Sequence, residues 1–420
     1  MKYFEDDTVT RCLKDSQCEP IWDVVVGIPS FNNAPSIGNV VETCGIGLKK
    51  QFPELKSLII NSDGGSTDGT VEVVKNARLP EGIRAITIPY EGIRGKGSAL
   101  RAIFVAADML HSRFCIITDA DSRSITPQWI KLLGEPIYRN NYGYVTPYYL
   151  RDKYDGTITN ALVYPLTSAL YGFRLRQPIG GDFAMSTGLL KNFIFTHAYE
   201  WYPDVCRFGV DIWMTTTAIC EGFNIIQAPL GVKIHDVKDP GIDLSPMFKQ
   251  VIGTMFGMMR KYEMKWKVAG KSVSIPVSGD VPIREIEDLK INVKNLISKF
   301  EDGFTNFGNA WKEILGSDGY RTLNRIKKSK LRFNFPADFW AKTIYDYSVY
   351  FNFSPKEMRG DVLDSLNPLY CARTASFVLD TRAISDEMSD ALVYGSANVF
   401  ERMKPYLIEK WINNEQKLFQ

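Results

Sequence analysis

The chain has 420 residues, 45% of them hydrophobic and 23% charged, a globular composition that excludes a disordered or fibrous chain. Its 50 Lys and Arg against 48 Asp and Glu leave a net charge of +2, so no strong pull toward nucleic acid is expected. No apolar run reaches the roughly 18 residues that a membrane span needs, and at about 150 residues per domain the length suggests two or three domains, or one large fold with an appendage.

The N-terminal stretch is polar and acidic, without the apolar core of a signal peptide. Seven cysteines form no CxxC pair, which reads as reduced thiols in a cytoplasmic protein. Strands and helices then alternate. Residues 23–28 are almost wholly apolar, as a buried parallel strand requires, and Pro29 to Asn33 follow as a loop. Residues 36–51 have helical character. Residues 56–60 read as a second strand, ending in the turn tract Asp63-Gly64-Gly65-Ser66-Thr67-Asp68-Gly69-Thr70, with a helix over 71–76. A third strand is expected at 84–88, a strong helix at 96–111, and a fourth strand at 114–118. This alternation argues for a doubly wound α/β sheet, whose ligands sit at the carboxyl ends of the strands. Residues 140–240, rich in aromatics, Gly and Pro, read as further strands and loops that complete a site. After Pro240-Gly241 the pattern turns helical, over 282–300 (Ile283, Ile286, Leu289, Val293, Leu296, Ile297, Phe300), 336–352 and about 385–416. The weakest order is expected in 1–18 and about 266–280.

Four features carry chemistry. Asp119-Ala120-Asp121 ends a buried strand, and alternate residues of an extended segment face one side. Two carboxylates there suit a divalent cation bridging a diphosphate, although an isolated DxD is usually a solvated turn. The Asp63–Thr70 tract caps a helix and lacks the GK[ST] ending of a P-loop, which disfavours an NTPase. Lys96, between Gly95 and Gly97 at a helix start, suits an anionic phosphate, against a plain helix-start loop with a solvated lysine. His235 closes an apolar stretch. With only three histidines in the chain, a multi-His metal site is nearly excluded, but one imidazole beside a carboxylate is not.

Together the Pro-containing first strand end, the DGGSTDGT loop, the GKG loop and the DxD resemble the nucleotide-sugar-dependent glycosyltransferases of the GT-A fold, over roughly residues 20–240. Within that class the chain is similar to the retaining enzymes that make mannosylglycerate and glucosylglycerate, compatible solutes. Arg94–Gly97, Asp119–Asp121 with Thr126-Pro127-Gln128-Trp129-Ile130, Arg176–Asp182, Phe208–Asp211, Gly231–His235 and, in the tail, Phe333–Phe335 with Trp340-Ala341 carry that similarity.

The resemblance implies a Rossmann-like GT-A catalytic domain over 1–240 and a mainly helical domain over 241–420. It implies Asp121 and His235 as ligands of a divalent metal, Mg²⁺ or Mn²⁺. Asp119 and Ala120 would support the donor, Lys96 and Gly97 its diphosphate, and Pro29 and Asp63 the base. Ile179, Gly180 and Gly181 would floor the transferred sugar. Arg151, Asp155 and Thr159 would hold the acceptor, Arg151 through its planar fork, and Asp211 would orient the acceptor hydroxyl. The catalytic set is thus Asp211, Lys96 and Asp121. The implied donor is UDP-glucose, GDP-glucose or GDP-mannose, and the implied acceptor D-glycerate, with 3-phosphoglycerate or another small acceptor as the alternative. A lipid-linked sugar transferase, a nucleotidyltransferase and a catalytically silent sugar-nucleotide scaffold compete with this. The apolar stripes of the helical region are first of all core, and offer besides a homo-oligomer interface or a cover for the acceptor.

Overall fold

The computed structural model describes residues 7–234, 244–280, 288–329 and 333–418. Nine strands occur among them: β1 (Val24–Ser30), β2 (Ser57–Asp63), β3 (Arg84–Pro89), β4 (Phe114–Ile117), β5 (Tyr144–Leu150), β6 (Phe173–Arg174), β7 (Phe183–Ser186), β8 (Ile225–Val232) and β9 (Val273–Ser274). The chain divides into two compact units, one of residues 1–150, 179–236 and 275–285, the other of residues 151–178, 237–274 and 286–420.

The first unit is built on one seven-stranded sheet in the order β3-β2-β1-β4-β7-β5-β8. β1 pairs in parallel with β2 and β4, and β5 in parallel with β8. β7 runs antiparallel between β4 and β5. The sheet is therefore mixed and Rossmann-like, as GT-A sheets are. The antiparallel member, β7, is a four-residue strand too short to show a period in the sequence. β1 is apolar on both faces because both are covered. The Ala34–Gln51 and Pro127–Asn140 helices bury Ile37, Val41, Leu48, Trp129 and Leu133 against Val24, Val26 and Ile28. The Lys96–Met109 helix packs on β1 with Leu100, Ile103 and Phe104 buried.

The second unit is mainly helical, and a span from the first half of the chain joins it. A π-turn over Thr159–Val163 runs into the Tyr164–Tyr171 helix, where loops and strands were expected. Its other helices are Ser245–Lys261, Glu263–Val268, Val293–Lys328 (interrupted at Gly316), Ala337–Phe353, Arg359–Thr381 and Asp386–Leu418. Large aromatics fill the core, and three of them donate to backbone carbonyls: Trp311 Nε1 to Ser365 O at 2.8 Å, Tyr345 Oη to Phe400 O at 2.6 Å and Trp340 Nε1 to Ala161 O at 2.7 Å. β6 and β9 form a separate parallel ladder, Phe173 with Val273 and Arg174 with Ser274.

Three local expectations change. Residues 7–15 are helical, because Val9 and Leu13 bury one stripe. The helix expected over 282–300 starts only at Val293, where Asn292 Oδ1 caps the Asn295 N–H at 3.1 Å. Ile283 and Ile286 lie outside the described residues. The stretch 266–280, expected to be weakly ordered, contains β9 and returns to the large sheet, where the Gln227 N–H donates to Pro276 O at 2.9 Å. Among the described residues no helix is long and apolar enough to cross a membrane.

Candidate active site at the carboxyl end of the central strands

β4 ends at Ile117, and the next five residues lie at the crevice where parallel sheets bind ligands. The Thr118 N–H still reaches Gly27 O at 3.1 Å, so Asp119 is the first residue freed from the sheet. Asp119 is clasped by two lysines. Lys96 Nζ lies 2.9 Å from its Oδ1, and Lys233 Nζ donates to its Oδ2 at 3.1 Å. Lys96 reaches Asp211 Oδ2 as well, at 3.2 Å. Lys233 also pairs with Asp182 and donates to Ser122 Oγ at 3.1 Å. Asp182, wholly buried, further accepts from Thr118 Oγ1 at 2.6 Å, the Asp119 N–H at 3.2 Å and the Tyr149 hydroxyl. One chain of alternating charge therefore runs Asp211, Lys96, Asp119, Lys233, Asp182.

This order sets the protonation states. Burial opposes charge on Asp119, but Lys96 and Lys233 outweigh it and hold the carboxyl well below its ordinary range. Burial likewise opposes charge on Lys96, yet Asp119 and Asp211 keep it firmly protonated. At Asp211 burial wins: its pKa is raised, Lys96 pulling the other way and Asp119 adding to the rise. Its Oδ1 is buried with no hydrogen-bond partner among the described residues. A carboxylate oxygen of this kind is costly to leave unpaired, and a hydroxyl donor would satisfy it.

Gly97 explains how Lys96 is aimed. A Cβ there would sit 1.8 Å from Val205 O, so only glycine lets the 205–207 segment lie against the helix start. That segment takes the amides for itself: the Gly97 N–H donates to Arg207 O at 3.2 Å and the Ser98 N–H to Cys206 O at 2.9 Å. The helix N-terminus therefore offers an anion the Lys96 side chain rather than these two amides. Gly181 is the second such position. Its φ is +91°, and a Cβ would fall 2.0 Å from Asp119 Oδ2, so the 179–181 turn abuts the DxD carboxylate.

The other expected residues divide. Pro29 is half-buried at the end of β1, paired in register with Ser62. Asp63 spends its carboxylate locally: Oδ1 accepts the Gly65 and Ser66 N–H at 2.9 and 2.8 Å, and Oδ2 the hydroxyls of Ser30 and Ser66 at 3.0 and 2.6 Å. Four donors leave it a turn-former, the plain βα-turn alternative for that tract. Ala120 is buried, its carbonyl accepting Ser36 Oγ at 2.8 Å, and Asp121 is half-buried. In the second unit Arg151 Nη1 donates to Asp155 Oδ2 at 3.3 Å, and Thr159 is buried at the start of the π-turn. His235 lies outside the described residues. Among those described, no three His, Cys, Asp or Glu side chains gather as a metal site. The pair that the resemblance assigns to a metal is a carboxylate and an imidazole, a donor set a divalent cation accepts once phosphate oxygens complete it. Lys233, Asp182 and Tyr149 were not singled out from the sequence. A lysine two residues before His235, and an acid directly after Gly180-Gly181, were the available signals.

Residues 25–195, less than half of the chain, match the sequence profile of the family described as glycosyl transferase family 2. The match spans the DxD and the GKG loop and agrees with the mixed GT-A sheet, so the chain resembles GT-A glycosyltransferases in motif order and in fold. Among solved structures it is similar to glucosyl-3-phosphoglycerate synthase of Mycobacterium tuberculosis, solved with Mn²⁺, UDP and glucosyl-3-phosphoglycerate, at 21% identity over 61% of this chain and 85% of that one, with a TM-score of 0.45. It is also similar to mannosyl-3-phosphoglycerate synthase of Rubrobacter xylanophilus, at 18% identity over 62% of this chain and 80% of that one, with a TM-score of 0.44. The comparison with curated proteins returned no match.

Proposed function

We propose that the chain is a retaining glycosyltransferase that moves glucose or mannose from a nucleotide-diphosphate sugar to D-glycerate. The observation that carries this reading is the Lys96 ammonium held between Asp119 and Asp211 beside the DxD. A cation fixed there meets the charge that develops on a departing diphosphate. Asp121 and His235 would hold a divalent metal, which when bound supplies further neutralisation of that diphosphate. Asp119, clasped by two lysines, positions Lys96. Gly181, Gly180 and Ile179 form the surface for the sugar ring. Asp211 accepts the acceptor hydroxyl through its unpartnered Oδ1 and orients it. The bond from the anomeric carbon to the phosphate oxygen breaks, and the acceptor oxygen bonds to that carbon on the same face. The hydroxyl proton passes to the leaving phosphate oxygen, so no protein nucleophile is needed. Arg151, Asp155 and Thr159 are proposed to bind the glycerate carboxylate and hydroxyls, with Arg151 exchanging Asp155 for the substrate. The catalytic region is proposed as 1–240 and the helical region as 241–420.

The test is a product assay that crosses UDP-glucose, GDP-glucose and GDP-mannose with D-glycerate, 3-phosphoglycerate or no acceptor, each with Mg²⁺, Mn²⁺ or chelator. A metal-dependent glycoside of glycerate with retained anomeric configuration is the expected result. A product on 3-phosphoglycerate alone would replace the acceptor. An inverted product would overturn the same-face step. Absence of turnover with every donor would turn the reading to a sugar-nucleotide-binding scaffold.

A further inference from the structure

The second unit holds a cleft of about 570 Å³ lined by Arg174, Lys271, Asn398, Glu401 and Arg402. Its walls come from two places. The β6–β9 ladder pairs Arg174 with Ser274, three residues after Lys271, and the Asp386–Leu418 helix presents Asn398, Glu401 and Arg402 at i, i+3 and i+4, one helical face. Three cations thus converge with a single carboxylate, on a chain whose total charge is nearly balanced. One carboxylate cannot neutralise all three. Glu401 Oε2 is held by the Ser272 N–H at 3.2 Å and by the Ser272 hydroxyl, with Arg174 Nη2 3.9 Å away. Arg174 is oriented rather than consumed: its Nε donates to Ser272 Oγ at 2.9 Å and its Nη2 to Asn398 Oδ1 at 2.7 Å, leaving Nη1 without a partner among the described residues. Lys271 and Arg402 are exposed and form no ion pair among the described residues. Glu401 Oε1 likewise has no partner among them.

Lys271 and Arg402, with no ion pair among the described residues, call for an anion, and a fixed, unused carboxylate oxygen calls for a hydroxyl donor. The volume lies within the range of small-molecule sites and is much larger than a bare phosphate needs. We propose that this cleft binds a phosphorylated sugar or polyol, its phosphate on Arg174, Lys271 and Arg402 and a hydroxyl on Glu401. The site is made of second-unit residues alone, and it stands whether or not the proposed transfer reaction does.

The experiment is equilibrium dialysis of the full chain with labelled glucose 6-phosphate, inorganic phosphate and glucose. Glucose 6-phosphate should bind more tightly than either of the others. The Lys271→Ser/Arg402→Ser double variant removes two exposed side chains with no ion pair among the described residues, so it should melt like the parent. It should bind glucose 6-phosphate at least about tenfold more weakly, the loss expected for one or two charge-assisted hydrogen bonds. Glu401→Gln should weaken glucose 6-phosphate while strengthening inorganic phosphate. No binding by the parent, unchanged binding by the folded double variant, or equal affinity for glucose 6-phosphate and inorganic phosphate each overturns the proposal.

Discussion

Asp119 and Asp121 are two residues apart, yet their surroundings divide their roles. Asp119 is taken up by Lys96 and Lys233, and Asp121 is half-buried. Asp121→Ala should abolish metal-dependent turnover in a protein that keeps its melting temperature, and normal turnover in that folded variant would remove Asp121 from the metal site. Lys96→Met keeps much of the stem but not the charge, and kcat should fall about a hundredfold, the scale of losing one transition-state charge donor. Arg151→Ala should raise the acceptor KM about tenfold or more while leaving the donor KM near its parent value. Equal effects on both would take Arg151 out of the acceptor role.

At the scale of elements, Lys233 ties the end of β8 to β4 through Asp119 and to the turn before β7 through Asp182. Its side chain is 3% exposed and that of Asp182 wholly buried. Lys233→Met would strand two carboxylates around an apolar tip, and the expected cost is about 3–5 kcal/mol, the range for breaking a buried pair by removing one partner. Urea unfolding measures it, and a loss within experimental error would show that water replaces the ammonium. Most of the strands and helices that build this region were legible beforehand. The apolar run of β1, the strand before the DxD and the helix after the GKG loop follow from periods and turn residues over a dozen neighbours. β7 and the π-turn into the Tyr164–Tyr171 helix were not, because a four-residue strand and a buried aromatic helix show no clear period. The GKG motif gave the position of Lys96 correctly as a helix start. It could not tell that the Cys206 and Arg207 carbonyls, more than a hundred residues on, take the helix amides.

For the whole molecule, the lysine–carboxylate chain sets a pH window of stability. Asp119 stays ionised in the fold below the ordinary carboxylate value of 3.8. As pH falls through that value the unfolded chain takes up the proton first, so this contribution, full above it, is lost on the acid side. Lys96 stays protonated above its ordinary 10.5, so its contribution is full below that value and is lost on the alkaline side. Asp211, with a raised pKa, works against Asp119: its contribution is present at low pH and fades as pH rises. Unfolding free energy measured from about pH 2 to about pH 4 should rise with pH, and Asp119→Asn should flatten that rise. An unchanged slope would assign the acid sensitivity to other carboxylates. Composition, hydropathy period and turn residues, which act over a few neighbours, were enough to determine an α/β first half, a helical second half and a carboxylate pair at a strand end. The partners of those carboxylates were decided only in three dimensions. Lys96 and Asp211 are 115 positions apart, and Lys233 and Asp119 are 114 apart. No local pattern specifies such pairs. They arise because strand order in the sheet brings the ends of β4 and β8 and the start of two helices to one edge, where burial and charge then choose which groups stay ionised.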